Sequence, residues 1–318
     1  MKALATVFIA ILSSNTAFGA DPYPVRPIRM IVGFAPGGGT DLTARPVATK
    51  LSELLGQQVI VENRPGAGGN IATEQVTKAA PDGYTLLMGT IAALAINPSL
   101  YGNLRFDPET DLAPVIQVVD ATNVLALHPS VPASSVKELI ALAKEKSLLA
   151  GSSGIGATGH LAIELFNLMA GVKLVHVPYK GGGPAMADLV GGQVNLIFAT
   201  AASSVPHLKS GRIKGIAVTT VKRSALMPEL PTVAEAGLAG FEANNWYGLV
   251  VPAKTPRAII DQLNAEVTKI LAMPDVKTTL FNQGLDPAPG TPEQFGAYIR
   301  SERAKWARVI KESGAKAE

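Results

Sequence analysis

There is no cysteine in the 318 residues. That excludes disulfides, thiolate catalysis and Cys-based metal sites, and it leaves no cysteine to carry a lipid at the start of a mature chain. Aromatic side chains are scarce: two Trp, six Tyr and nine Phe. They do not interleave with basic clusters, so nucleic-acid binding has no support. Charge of one sign is also missing. The formal net charge is +3, and Lys2 is part of it. The densest cations, Arg300, Arg303, Lys305, Arg308 and Lys311, alternate with Glu302 and Glu312 and read as a solvated helix face. Past residue 20, Gly, Pro, Asp and Lys break each apolar stretch short of the roughly 20 residues that a membrane helix needs.

Catalytic patterns are thin. His128, His160, His176 and His207 show no HxxxH spacing, so neither a metal nor any other cofactor is expected. No G-x-S-x-G elbow is present. A triad of Ser152, His160 and Asp188 can be drawn on paper, but so can one in almost any chain of this length. His160 reads more simply as packing at a helix end.

The N-terminus is built differently from the rest. Lys2 precedes an apolar run over residues 3–12, and Ala17-Phe18-Gly19 places small residues at −3 and −1 of a cleavage site. That three-part layout reads as a secretory signal peptide over residues 1–20, cut after Gly19 or Ala20. The mature chain is expected to be exported and soluble.

Beyond the leader, short β-branched runs alternate with helical patterns. Strands are expected at 28–34, 58–62 and 84–89, with helices at 42–55 and 70–79. This β-α-β-α-β order implies a parallel sheet covered by helices. A second block repeats the alternation from 124 to 219. Crossings fall near 119–123 and 220–231. A strand at 247–251 and helices at 257–271 and 292–311 follow. This tail has too little strand for a sheet of its own, so it is assigned back to the first block. The expected domains are lobe 1 at 21–122 plus 228–318, and lobe 2 at 123–227.

In open α/β sheets, ligands bind where strands run into helices. Three loops of that kind stand out. Phe34-Ala35-Pro36-Gly37-Gly38-Gly39-Thr40-Asp41 bares backbone N–H groups just before a helix dipole, an anion trap that needs no Lys or Arg. Asp41 is placed to cap that helix or to hold the loop's shape. Gly151-Ser152-Ser153-Gly154-Ile155-Gly156-Ala157-Thr158-Gly159-His160 has the same design in the other lobe: strand, glycines and hydroxyls, then a helix start. Its G-x-x-G-x-G spacing differs from the dinucleotide fingerprint, and no acidic residue follows at a second strand end, so the nucleotide reading is rejected. Val177-Pro178-Tyr179-Lys180-Gly181-Gly182-Gly183-Pro184 is the third. Tyr179 offers a ring and a hydroxyl, and Lys180 either pairs with a carboxylate or is simply solvated. Each loop alone is equally a tight turn with no ligand. Trp246, among Asn244, Asn245 and Gly248, is read as lining a pocket or filling a core, with the pocket preferred.

Taken together these segments resemble a known family. Tyr23-Pro24-Val25-Arg26-Pro27-Ile28 through Phe34-Ala35-Pro36-Gly37-Gly38-Gly39-Thr40-Asp41, Glu62-Asn63-Arg64-Pro65-Gly66-Ala67-Gly68-Gly69 and Pro81-Asp82-Gly83-Tyr84-Thr85-Leu86 are similar to the Bug-type substrate-binding proteins of tripartite tricarboxylate transporters. Asn97-Pro98-Ser99-Leu100-Tyr101, His176-Val177-Pro178-Tyr179-Lys180-Gly181 and Gly191-Gly192-Gln193-Val194 fit the same family, in order. The resemblance implies an α/β two-lobed periplasmic-binding-protein fold of the type II kind, two doubly wound domains joined by two hinge crossings. It implies a small organic carboxylate as ligand and a transporter permease as partner, with no enzyme activity. A monomer is expected.

By the same resemblance, Phe34, Gly38, Gly39, Thr40 and Asp41 would line one side of the cleft. Ser152, Ser153, Gly154, Tyr179 and Lys180 would line the other, with Thr90 and Ala92 at the end of the third strand. Where many relatives carry an acidic residue after Val194-Asn195-Leu196-Ile197-Phe198, this chain has Ala199 followed by Thr200. Both are counted as ligand contacts. Losing the acid removes a partner for an ammonium group and points to a dicarboxylate or aromatic carboxylate rather than an amino acid. A sensor that docks on a signalling partner such as a sensor kinase uses the same closed form and stays open as the alternative. A hydrolase using Ser152 is the weakest reading.

Overall fold

The structure, a computed structural model, describes residues 23–314, 316 and 317. The leader read at residues 1–20 lies outside the described residues.

The first lobe begins with β1 (Ile28–Val32), α1 (Gly39–Leu55), β2 (Val59–Asn63), α2 (Asn70–Thr77) and β3 (Thr85–Thr90). β1 pairs in parallel with both β2 and β3, as the alternating pattern predicts. A strand covered on both faces needs a near-continuous apolar run. In β1, Ile28, Met30, Ile31 and Val32 are all buried. A π-helical turn, Ala92–Ile96, leads into α3 (Asn97–Leu100), α4 (Pro108–Asp111) and β4 (Leu112–Ala121).

The second lobe holds β5 (Asn123–Leu127), α5 (Val136–Glu145), β6 (Leu149–Ser152), α6 (Thr158–Ala170), β7 (Val175–Pro178), α7 (Gly182–Val190), β8 (Leu196–Thr200), α8 (Ala201–Lys209) and β9 (Lys214–Val218). The chain then returns through β10 (Asn245–Pro252), α9 (Arg257–Ala272), α10 (Pro274–Phe281), β11 (Leu285–Pro287) and α11 (Pro292–Ser313). The first sheet has the order β11-β4-β10-β3-β1-β2 and the second β7-β6-β8-β5-β9. Both are mixed: β10 runs antiparallel to β3 and β4, and β5 antiparallel to β8 and β9.

Two crossings join the lobes side by side. On the outward one, Thr122 N–H donates to Gly284 O at 3.1 Å and Thr122 O accepts from Ala201 N–H at 2.7 Å. On the return, Thr219 N–H donates to Asn123 O at 3.0 Å and Ala243 N–H to Thr219 O at 3.1 Å. The backbone groups of the crossings are thus paired, those of Thr122 with Gly284 and Ala201 and those of Thr219 with Asn123 and Ala243, as buried peptide groups require. Val233, Leu238, Phe241 and Ala243 pack into the second lobe's core with Phe166 and Phe198. The packing of that lobe therefore runs past residue 227.

Trp246 corrects the sequence reading. It is fully buried, its ring edge-on to Phe295 at 5.5 Å and 5.6 Å from the Tyr298 ring. It belongs to the first-lobe core with Leu87, Val250 and Trp306. The reason is strand geometry: successive side chains of β10 point to opposite faces. Asn245 and Tyr247 face the cleft, so Trp246 cannot.

Trp246→Ala should lower the unfolding free energy by about 3–5 kcal/mol, the usual cost of emptying a large aromatic site in a core. Urea unfolding of the variant measures it. A loss under about 1 kcal/mol would place the ring outside a packed core.

Candidate functional site

One cavity opens between the two lobes at the hinge, with about 510 Å³ of empty space, mouth included. The first lobe lines it with Phe34, Gly38, Gly39, Thr40, Thr90 and Ala92, and the returning strand adds Asn245 and Tyr247. The second lobe supplies Asn123, Ser153, Ala157, Thr158, Gly159, Gly182, Ile197, Phe198, Ala199, Thr200 and Ser203. None of these side chains carries a formal charge.

Backbone supplies the polarity instead. Helices α1, α6, α7 and α8 all start at this cavity, and none has a side chain capping its N-terminus. The first N–H groups of a helix have no partner within it. Each helix also brings about half a positive charge to its start. Four such ends converge on one small volume, so the electrostatics of the cavity favour an anion.

The first loop is braced from behind by Asp41, which is 2% exposed. Its carboxylate accepts the Gly37 N–H at 3.1 Å, Arg45 Nε and Nη2 at 3.0 and 2.8 Å, and Asn63 Nδ2 at 2.9 Å. Asn63 Nδ2 also donates to Phe34 O at 2.9 Å. Burial pushes the Asp41 carboxyl up, but Arg45, Asn63 and the Gly37 N–H outweigh that and hold it below the usual carboxylate range. Asp41 therefore shapes the loop and does not face the cavity.

Gly39 is needed for close approach. A Cβ there would lie 2.6 Å from both Tyr247 Oη and Thr200 Oγ1. Tyr247 is buried, and its hydroxyl accepts from Asn245 Nδ2 at 3.0 Å. Burial pushes its phenol up to about 12, so it stays a neutral donor.

Ser152 also sits behind the wall. It is fully buried, with Oγ 2.6 Å from His176 Nε2 and accepting the Gly154 N–H at 3.1 Å. His176 stacks on His160 with centroids 4.2 Å apart, and His160 Nδ1 accepts the Gly156 N–H at 3.2 Å. These contacts pin the second loop as Asp41 pins the first. The triad drawn on paper is not assembled: Ser152 meets His176 and not His160, and Asp188 accepts from the Tyr179 hydroxyl at 2.6 Å.

Gly154, Tyr179 and Lys180 line a second, outer chamber, while Ser153 and Phe34 line both. The two lobes touch beside it. Ala35 N–H donates to Lys180 O at 3.0 Å, and Tyr101 Oη donates to Ile155 O at 3.1 Å. Gly181, at φ 152, allows the first of these: a Cβ there would sit 2.8 Å from Ala35 N.

Sequence reasoning thus brings Phe34, Gly38, Gly39, Thr40, Thr90, Ala92, Ser153, Ala199 and Thr200 to the inner cavity. It passes over Asn123, Asn245 and Tyr247, polar groups at the two crossings. The signal was there in the alternation of β10 once Trp246 is turned inward. Thr158 and Gly159 lie within the second loop singled out in the sequence but are not among the ligand contacts expected there; both line the cavity.

A family model described as the tripartite tricarboxylate transporter family receptor matches residues 43–315. Protein BugT of Bordetella pertussis is 38% identical over 319 residues, covering 99% of this chain and 98% of that protein. Among solved structures, an R. palustris protein with adipate is 39% identical at a TM-score of 0.90, covering 92% of this chain and 99% of the other. The periplasmic binding protein BugD is 36% identical at a TM-score of 0.90, covering 93% and 100%.

The histidine pair makes stability depend on pH. Burial pushes His160 down to about 4; burial and then the neighbouring His160 push His176 down to about 3. The unfolded chain takes up these protons near the ordinary value of 6.5, while the native chain does not. Stability should be complete above about pH 7 and fall as pH drops from 6.5 toward 4. Asp120, whose carboxyl burial pushes up to about 6, acts in the opposite sense. Thermal unfolding at stepped pH checks this: His176→Gln should flatten the slope between pH 6.5 and 4.5, and an unchanged slope would remove His176 as its source.

Proposed function

The chain belongs to the tripartite tricarboxylate transporter receptor family, and from that we propose that it captures a small organic carboxylate in the periplasm and delivers it to the membrane permease of such a transporter. The family and its structural neighbours are substrate-binding proteins, not enzymes.

The observation that carries the ligand class is the uncharged cavity onto which four uncapped helix starts converge. Such N–H groups match the oxygens of a carboxylate, and each helix end contributes about 0.3–1 kcal/mol toward a nearby anion. Thr40, Thr90, Ser153 and Tyr247 supply neutral hydroxyls around it. The adipate bound by the R. palustris relative agrees with this class.

A dicarboxylate or an aromatic carboxylate is favoured over an amino acid. Ala199 forms part of the wall, and no acidic side chain lines the cavity. A buried ammonium group without a counter-charge is costly, so a zwitterion fits poorly.

A thermal-shift panel tests this reading. Succinate, adipate or benzoate should raise the melting temperature, their methyl esters should not, and aspartate and glutamate should have little effect. A ligand at a hundred times its Kd stabilises by about 2.7 kcal/mol. Tight binding of aspartate or glutamate, with no response to succinate, adipate or benzoate, would overturn it. Gly38→Val supplies a second check. A Cβ at Gly38 already lies 3.3 Å from Gly182 N in the opposite lobe, so the larger side chain should block closure. Ligand affinity should fall by at least tenfold, about 1.4 kcal/mol, while the ligand-free melting temperature stays close to that of the unaltered protein. Normal affinity would mean that this loop is not the cradle.

A further inference from the structure

A groove lies between α7 and α8, with about 610 Å³ of empty space, mouth included. Met186, Ala187 and Val190 of α7 make one wall, and Ser203 and His207 of α8 the other. It shares only Ser203 with the inner cavity and no residue with the outer chamber. Arg212, just past α8, supplies its one formal charge. The Arg212 N–H donates to His207 O at 3.0 Å and Nε to Ser210 Oγ at 3.1 Å. Those bonds hold the guanidinium near the His207 imidazole. Burial and then the Arg212 charge push that imidazole down, so it stays neutral. Its Nδ1 is buried without a hydrogen-bond partner. No carboxylate lies within ion-pair distance of Arg212 among the described residues.

Closure completes the groove. Gly37 of the first lobe forms its end. Beside it, Pro36 O comes so near Gly183 that a Cβ there would lie 2.5 Å away. Moving the lobes apart would remove that end.

Charge and shape together name the occupant. An unpaired guanidinium beside an apolar wall matches a carboxylate carried next to an apolar side chain. Gly37, Ala187 and Arg212 are exposed, whereas a free small molecule is held by burying most of its surface. The carboxylate therefore belongs to a larger surface. We propose that this groove is where the loaded protein docks on the membrane permease, with Arg212 pairing with an acidic side chain of the permease and the α7 wall receiving its apolar neighbour. Because Gly37 is part of the site, the permease meets the whole groove only on the closed form. The proposal rests on the transport reading and adds the docking surface to it.

The test uses cells that lack this chain's gene and receive the unaltered or a variant protein. Uptake of radiolabelled succinate, adipate and benzoate is measured, and isothermal titration gives the affinity of each purified protein for the same acids. Arg212→Glu, and separately Ala187→Glu, should lower uptake at least about tenfold, since like charges facing each other across an interface are strongly unfavourable. Affinity and melting temperature should stay close to those of the unaltered protein. Arg212→Lys should keep most of the uptake. Lys144→Glu, the same charge change at an exposed position of α5, should leave uptake unchanged. Full uptake with Arg212→Glu overturns the docking site and leaves the transport reading intact. An equal loss with Lys144→Glu overturns it too, because net charge alone would then matter. So does a fall in affinity that matches the fall in uptake, which would assign the groove to ligand binding. A dimer of the loaded protein that Arg212→Glu dissolves would assign it to a second copy instead. If the unaltered protein restores uptake of none of the three acids, the transport reading falls and this proposal with it.

Discussion

Holding a negative charge without a positive side chain places one demand on everything else: the N–H groups that do the holding must stay bare and stay put. Buried peptide N–H groups are almost always paired. Four helices start at a single cavity without side-chain caps; the Ala201 N–H of α8 is taken by Thr122 O, but the converging dipole ends still favour an anion. Much of the surrounding polar structure keeps those starts in position. Asp41, Arg45 and Asn63 tie the first loop to the ends of β1 and β2. Ser152 and His176 tie the second.

The two braces differ in chemistry. The first is ionic, with the Arg45 side chain half exposed and its partner Asp41 buried. The second is neutral, because burial keeps both histidines unprotonated. Neither brace faces the ligand, yet both decide where the backbone that faces it can lie. Tyr247 plays the corresponding part at the floor. Its hydroxyl sits at the meeting point of the first lobe, the second lobe and the returning crossing, so one neutral group is in reach of all three.

Much of the fold was legible in the residues because local and global preferences agree. The apolar run at β1 and its glycine loop read directly as strand and helix start. β4 did not, since Pro114 and Asp120 interrupt its apolar pattern and its identity comes from pairing with β10 and β11. The short β11 exists only as an edge to β4. At the site, loops were easier to recognise than the direction of single side chains. Asp41 and Ser152 stand inside the right segments but point behind the wall. Trp246 and Tyr247 exchange roles through one step of strand alternation. Such directions follow from tertiary packing, which a linear pattern does not encode.

The hydrogen bond from Ala35 N–H to Lys180 O joins the lobes through main chain alone. Side-chain chemistry does not enter it, and neither acid nor salt titrates it away. The side chains that line the cavity can therefore differ without altering this one contact. This contact of the closed form asks of the sequence only that position 181 stay without a Cβ, which would lie 2.8 Å from Ala35 N.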